Sequence, residues 1–301
     1  MSDFAFHTTA CEESRQQYVD ALDASEGALD WQEALKEARQ IVTEALKASN
    51  KLTNVAAALR ADGSHSIALR HILAPPKGQD PFKLICPQWP KSSEKNASRL
   101  SATAAAKVAE AFDRWRSRRL TPWLDAKREP KAEEIDSLLL SVSPLIASQR
   151  LATARRNRLA REQEQAVIEL LETRGWTKET SSLVEQGSDL PKLHYMHKTR
   201  FSSGVGQSQE ADIGCGLGKS RVLAMECKVS NDETNSVKRI NDILKKSAAW
   251  RKKWGDFIRT GAMLQGVIRP SEVRRLLDDD VQVFWSHRLG DFAKWLDDNM
   301  Q

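Results

Sequence analysis

Residues 212–229 run Asp212-Ile-Gly-Cys-Gly-Leu-Gly-Lys-Ser-Arg-Val-Leu-Ala-Met-Glu226-Cys227-Lys228-Val229, and the architecture of this 301-residue chain is best approached from them. After Arg221 the residues to Val229 are apolar apart from Glu226 and Lys228, which predicts a buried strand over 221–229. Side chains on a strand alternate between faces, so Glu226 and Lys228 project from one side, roughly 6–7 Å apart along the chain. Cys227, with Leu223, Met225 and Val229, then faces the core. Asp212 closes the segment before. The glycine-rich Gly214-Cys-Gly-Leu-Gly-Lys219 is read as a turn that brings the chain back and sets Asp212 beside Glu226. Two adjacent carboxylates repel each other and gain most by sharing a hard divalent cation, for which Mg²⁺ is suited by its preference for oxygen ligands. A lysine two residues on can hold and polarise an attacking water, or meet charge that builds on a phosphate oxygen. Asp212, Glu226 and Lys228 are therefore candidates for phosphodiester hydrolysis.

Moving outward from this stretch, periodicity predicts an amphipathic helix over 155–174, ended by Gly175, since glycine tolerates positive φ. A polar region follows from 177 to 210. Beyond Val229 come a basic helix (235–254), a buried strand (261–268), a helix (271–278) that Pro270 can start, a strand (281–285) and a final helix (291–296). Helices connecting successive strands make the later strands parallel. The first 150 residues read as helix after helix. Asp30, with Glu33 three residues on, is a candidate helix start, and Ser101 caps an alanine-rich helix that Pro122 ends. Pro130 starts another, and Pro144 stops it near Val142. The expected division is thus a helical domain over 1–148 and an α/β domain over 149–301, with a mixed sheet flanked by helices in the latter.

Composition narrows the function classes. At 40% hydrophobic and 29% charged residues the chain is a folded protein, not a low-complexity or collagen-like one. No apolar stretch is long enough to span a membrane, the first nine residues do not resemble a secretory signal, and the four cysteines form no CxxC pair. A reducing, cytoplasmic setting follows as the expectation. The net charge of +5 says little until it is divided. Residues 1–50 hold 4 basic and 10 acidic side chains, whereas 51–131 hold 16 and 7. Five arginines lie between Arg150 and Arg161 without an acid, and seven basic residues lie between Lys238 and Lys253 beside the single acid Asp242. Such runs, interleaved with Trp115, Trp123, Trp250 and Trp254, fit a phosphate-backbone footprint, although any one of them can be a solvated helix face.

The acid, the gap and the Glu-X-Lys on the next strand resemble the signature of the PD-(D/E)XK nuclease superfamily. Here these are Asp212 and, fourteen residues on, Glu226-Cys227-Lys228; Ala211 stands where the signature has proline. The superfamily's first helix often adds an acid before its closing glycine, which makes Glu164 a fourth catalytic candidate and Glu162, Glu169 and Glu210 weaker ones. The resemblance implies a restriction-endonuclease-like core, with the backbone carbonyl of Cys227 joining Asp212 and Glu226 as a metal ligand. It also implies a following helix that meets the DNA backbone, here through Asn235, Ser236, Lys238 and Arg239. The stretches Met225–Asn241, Arg119–Asp125 and Val283–His287 are similar to the XamI type of type II restriction endonucleases. That likeness implies Mg²⁺-dependent cleavage of double-stranded DNA at a short palindrome by a homodimer, with a cognate DNA methyltransferase as genetic partner.

Two other patterns compete. Asp212-Ile-Gly-Cys-Gly-Leu-Gly218 looks like the glycine loop of an S-adenosylmethionine-dependent methyltransferase, and a DNA-binding protein that does not cut is a further alternative. A cofactor loop, however, should follow a buried strand and precede a helix, and neither the polar Gln207–Ala211 nor the strand starting at Arg221 fits. Gly218-Lys-Ser220 suggests a P-loop but has Ile213 where that motif needs glycine. His194 and His197, three apart, could ligate a metal, yet a DNA-facing loop with Lys198 and Arg200 on phosphates or base edges suits the segment better, and an ordinary surface loop equally well. For the helical half, dimerisation or DNA recognition is the expected role, resting on its basic stretch.

Overall fold

Among the described residues, named strands appear only after Gly175. The computed structural model describes residues 4–21, 24–204 and 206–300. The chain gathers into two units, Ala24–Ala154 in one and Met1–Asp23 with Arg155–Gln301 in the other. Helix α1 (Phe4–Asp20) therefore packs with the sheet unit, outside the helical domain that the sequence placed over 1–148. The physical reason is its buried face of His7, Ala10, Cys11 and Ser14: Ala10 and Cys11 share a core with Ala262, Leu264 and Val273, and the backbone N–H of Gly266 donates to Ser14 Oγ at 2.8 Å.

The Ala24–Ala154 unit is built from α2 (Ala24–Ala48), α3 (Val55–Ala61), α4 (Ser66–Ile72), α5 (Gln79–Ile85), α6 (Ser92–Asn96), α7 (Ala102–Trp115), α8 (Pro122–Asp125) and the first part of α9 (Ala132–Thr173). Ala34, Ala38, Val42 and Ala45 recur at helical spacing on α2 and are buried with Phe82, Trp89 and Trp123 in one core. Ser101 caps α7, its Oγ accepting the N–H of Ala104 at 3.2 Å. Two expected helix ends are absent. Asp30 lies inside α2, and Pro144 lies inside α9, which runs on unbroken to Thr173. The carbonyl that Pro144 leaves without its helical partner is that of Leu140, a solvent-exposed position, so water can satisfy it. The interleaved tryptophans are mostly core: Trp123, Trp250 and Trp254 are buried, and only Trp115 is exposed, beneath Lys77 and Arg114.

The other unit is a seven-stranded mixed sheet of β1 (Thr177–Lys178), β2 (Leu183–Val184), β3 (His194–Phe201), β4 (Gln209–Gly218), β5 (Arg221–Ser230), β6 (Ile258–Gly266) and β7 (Val281–Trp285). The order is β1-β3-β4-β5-β6-β7, with β2 also beside β3. β3, β4 and β5 pair antiparallel. The later strands pair parallel because α10 (Glu233–Trp254) and α11 (Pro270–Asp278) connect them. The last part of α9 and α12 (Leu289–Asn299) cover one face through Val167, Ile168, Leu171, Phe292 and Leu296. On the other face α10 contributes Trp250 and Trp254 to one cluster and, with α1 and α11, Ile240 and Ile243 to another.

The glycine run is strand, not turn. Gly214–Gly218 lies within β4, and the chain reverses at Lys219-Ser220, both with positive φ (51° and 60°), as a two-residue hairpin of the primed type requires. A methyltransferase-type cofactor loop is thereby excluded, since no loop and no helix follow the glycines. Gly216 is needed for close approach: a Cβ there would stand 1.9 Å from the carbonyl oxygen of Pro191.

Alternation breaks at one level of the sheet. In β3, Tyr195 points to the α9 face and Met196 to the α10 face, yet Phe201, an odd-numbered residue, also points to the α10 face. In β4, Ile213 and Cys215 point to the α9 face and Ala211 to the α10 face. Both strands change phase around Lys198 and Asp212, and the register either side is preserved because they change together. Lys198 has φ 55°, a left-handed conformation rare for a residue with a Cβ.

Candidate active site

The break in alternation is where the polar residues collect. Asp212 lies just beyond Ile213, the last β4 residue paired with β5, at Met225, so the two strands part beside Glu226. With no carbonyl of β4 opposite it, the N–H of Cys227 donates to Asp212 Oδ2 at 2.8 Å. Lys228 Nζ lies 3.1 Å from that oxygen and 2.6 Å from Glu226 Oε2. Glu226 and Lys228 share a face as the period of β5 dictates, and the side chain of Cys227 is buried on the opposite face with Leu223 and Met225.

Glu164 arrives from α9. It continues the stripe of Val167, Ile168 and Leu171 one turn toward the N-terminus, so the packing of that stripe on the sheet carries its carboxylate inward. Its two oxygens meet His197 Nε2 at 2.8 Å and Lys198 Nζ at 2.6 Å. Neighbouring residues of a regular strand could not both reach it; the left-handed backbone at Lys198 makes this possible. Lys198 Nζ also lies 2.7 Å from Asp212 Oδ1 and so bridges the two carboxylates. From α10, Lys246 Nζ lies 2.9 Å from both oxygens of Glu226 and donates to the carbonyl of Glu210.

The electrostatics divide the two central carboxylates. Burial pushes the Glu226 carboxyl above the ordinary carboxylate range, and the charge of Asp212 adds to this, against the pull of Lys228 and Lys246. Burial works the same way on Asp212, but Lys228, Lys198 and the Cys227 N–H outweigh it and hold that carboxyl below its usual value. Burial disfavours the Lys228 ammonium, yet Glu226 and Asp212 more than compensate and hold its proton more firmly than in a free lysine. The Cys227 thiol is pushed far up by burial and is inert as a nucleophile.

Asp212, Glu226, Lys228 and Glu164 are thus gathered in one cluster, together with Lys198. The weaker acids are elsewhere: Glu162 and Glu169 are exposed, facing Arg158 and Gln165, and Glu210 contributes only its carbonyl. His194 and His197 lie on a strand and do not form a ligand pair; His194 Nδ1 is 3.0 Å from the Lys192 carbonyl. Of the expected DNA contacts, two are spent on the start of α10. The N–H of Asn235 is capped by Asp232 and its amide donates to Asn231, while Ser236 is buried with its hydroxyl on the carbonyl of Glu233. Lys238 is exposed, Arg239 is half-buried, and Arg200 is exposed with one contact to the Ser208 carbonyl. Sequence reasoning did not assign His197 or Lys246 to the cluster. Lys246 lay inside the basic run, but only the packing of α10 selects it from its neighbours.

Among the described residues no three His, Cys, Asp or Glu side chains stand ready-grouped around a cation position, because lysines lie between the carboxylates. The donors nonetheless suit a hard divalent ion. Asp212 and Glu226 already converge on a single cation, the Lys228 ammonium, and both present only carboxylate oxygens. No described helix is long and apolar enough to cross a membrane.

Comparison with known proteins agrees with this geometry. Over 190 residues the chain is 31% identical to the type II restriction enzyme XamI of Xanthomonas campestris pv. amaranthicola, an alignment covering 62% of this chain and 67% of that protein. Residues 50–285, which include all seven named strands and most of the helical unit, match the family described as XamI restriction endonuclease. The chain belongs to the XamI restriction endonuclease family.

Proposed function

We propose that this chain hydrolyses phosphodiester bonds of double-stranded DNA at a short palindromic site in a Mg²⁺-dependent reaction. The observation that carries this is the Lys228 ammonium held between Asp212 and Glu226 at 3.1 and 2.6 Å on a buried strand. Asp212, Glu226 and the backbone carbonyl of Cys227 would hold the ion, which when bound activates water and offsets charge on the scissile phosphate. Lys228, set between its two acids, is placed to donate a hydrogen bond to the attacking or phosphate oxygen. Glu164 supports the cluster from α9, its orientation fixed by His197. The exposed Lys238 and Arg200 and the half-buried Arg239 are the basic residues that support DNA-backbone contact best, since Asn235 and Ser236 are committed to the helix start.

A palindrome calls for two copies related by a two-fold axis, so a homodimer is the assembly we infer. Because such cutting would damage unprotected host DNA, we infer a cognate DNA methyltransferase as genetic partner and the cytoplasm as the site of action. The test is digestion of mixed plasmid DNA with Mg²⁺, with the fragment ends sequenced. Discrete fragments with symmetric ends are expected; a smear, or asymmetric ends, counts against site-specific dimeric cutting. Lys228→Ala should slow cleavage about 100-fold or more while DNA binding in Ca²⁺ persists. Wild-type rates in that variant would remove Lys228 from the mechanism.

A further inference from the structure

Three ammonium groups serve the three carboxylates of the cluster. Lys228 lies between Asp212 and Glu226, Lys246 sits on Glu226, and Lys198 joins Glu164 to Asp212. The cluster is therefore neutralised by the chain itself, and any divalent cation that takes these oxygens competes with an ammonium already on them. The three lysines are not equally fixed. Side-chain exposure is 13% for Lys228 and 18% for Lys246, but 41% for Lys198, so Lys198 has the shortest way back to water.

We propose that Lys198 is an internal counter-cation of the site, its ammonium, tethered by Glu164, holding the Asp212 oxygen that metal loading must free. This rests on Asp212 being a metal ligand, as inferred above. Two features of the local structure favour displacement over a fixed structural pair. His197 holds the second oxygen of Glu164 at 2.8 Å, so that carboxylate keeps its orientation when Lys198 departs. The Lys198 backbone is in a sparsely populated left-handed conformation opposite Asp212, where both strands lose their alternation. Lys198 is on this view a positioning residue that sets metal affinity, and the ammonium it frees lies at the rim of the cluster.

The experiment is calorimetric titration of the intact protein with Ca²⁺ alone, so that no turnover is read. Lys198→Met should bind Ca²⁺ about 10-fold tighter than wild type, and Asp212→Asn should abolish the binding. Lys198→Gln, which keeps a polar end, should also bind more tightly and serves if the methionine variant folds poorly. A merely structural lysine would leave affinity unchanged or lower it on removal, so wild-type or weaker affinity in both Lys198 variants overturns the proposal. If no protein in the set binds Ca²⁺ in a way that depends on Asp212, the metal assignment itself falls and this proposal with it. Asp212-dependent binding with no response to Lys198 defeats the proposal alone.

Discussion

Glu164 shows how one carboxylate is selected from a helix that offers several. Glu162, Glu164, Glu169 and Glu172 all lie on the last part of α9, and sequence spacing to Gly175 favours the second without deciding it. Packing decides it: Val167, Ile168 and Leu171 set the helix rotation, and only Glu164 of these acids reaches both His197 and Lys198. Glu164→Gln should therefore lower the initial rate of plasmid cleavage about 10-fold or more, whereas Glu162→Gln and Glu169→Gln should stay near the wild-type rate. Equal losses in all three would mean that helix charge, not the position of Glu164, matters. Glu226 and Lys228 were legible because a strand's period of two puts them on one face, whereas Asp212 was placed beside them through a glycine turn that is in fact strand. Lys246 was not, since its role depends on how a whole helix lies on a sheet. Lys198 was singled out for phosphate, and in the structure its ammonium is held by two acids that lie far from it in sequence.

At the scale of elements, the sequence identified α9 and the helices and strands that follow Glu226, but it read β3 and β4 as polar chain and turn and misplaced the features set by tertiary context. Glycine and proline were read as chain breakers at Gly214–Gly218 and Pro144. The glycines lie in strand, where Gly216 meets the Pro191 carbonyl too closely to admit a Cβ, and the proline is tolerated in helix because the position whose carbonyl it orphans is exposed to solvent. The start of α9 is held differently. Glu134 accepts the backbone N–H of Lys131 and a bond from Arg128 Nη1, both at 2.8 Å, and pairs with the other guanidinium nitrogen. The Arg128 hydrogen bond, with that N–H, holds the Glu134 carboxyl down at about 2. A carboxyl lowered in the folded state adds stability above its unfolded value near 4.5, and that stability is lost as the pH falls toward 2. Urea unfolding of Glu134→Gln across pH 2–5 should show a shallower acid-side decline than wild type. Parallel declines would mean that the pair contributes nothing to acid stability.

At the scale of the whole molecule, the unit that bears the carboxylate cluster is made of two chain segments. α1 supplies the face that lies on β6 and α11, and its contacts are specific. Ser14 Oγ accepts the N–H of Gly266, the Trp285 indole donates to His7 Nδ1 at 3.1 Å, and Glu13 pairs with Arg288 and His287. Composition could not reveal this, because α1 looks like one more helix among those of the first half. Ser14→Ala would leave a buried N–H without a partner, at a cost of about 1–3 kcal/mol in chemical unfolding. A loss below 0.5 kcal/mol, on the order of an ordinary surface substitution, would show that α1 does little for the unit.

The separation between Ser14 and Gly266 is 252 residues, and it bears on how the protein is made. Synthesis runs toward the C-terminus, so α1 is made long before β6 exists to receive it. Ala24–Ala154, in contrast, has all of its own core once residue 154 is out, and contacts close in sequence form sooner than distant ones. The sheet that orients Asp212, Glu226 and Lys228 is completed last. A chain that stops short of β6 and β7 is thus an unarmed one, its carboxylates made but not yet held in place.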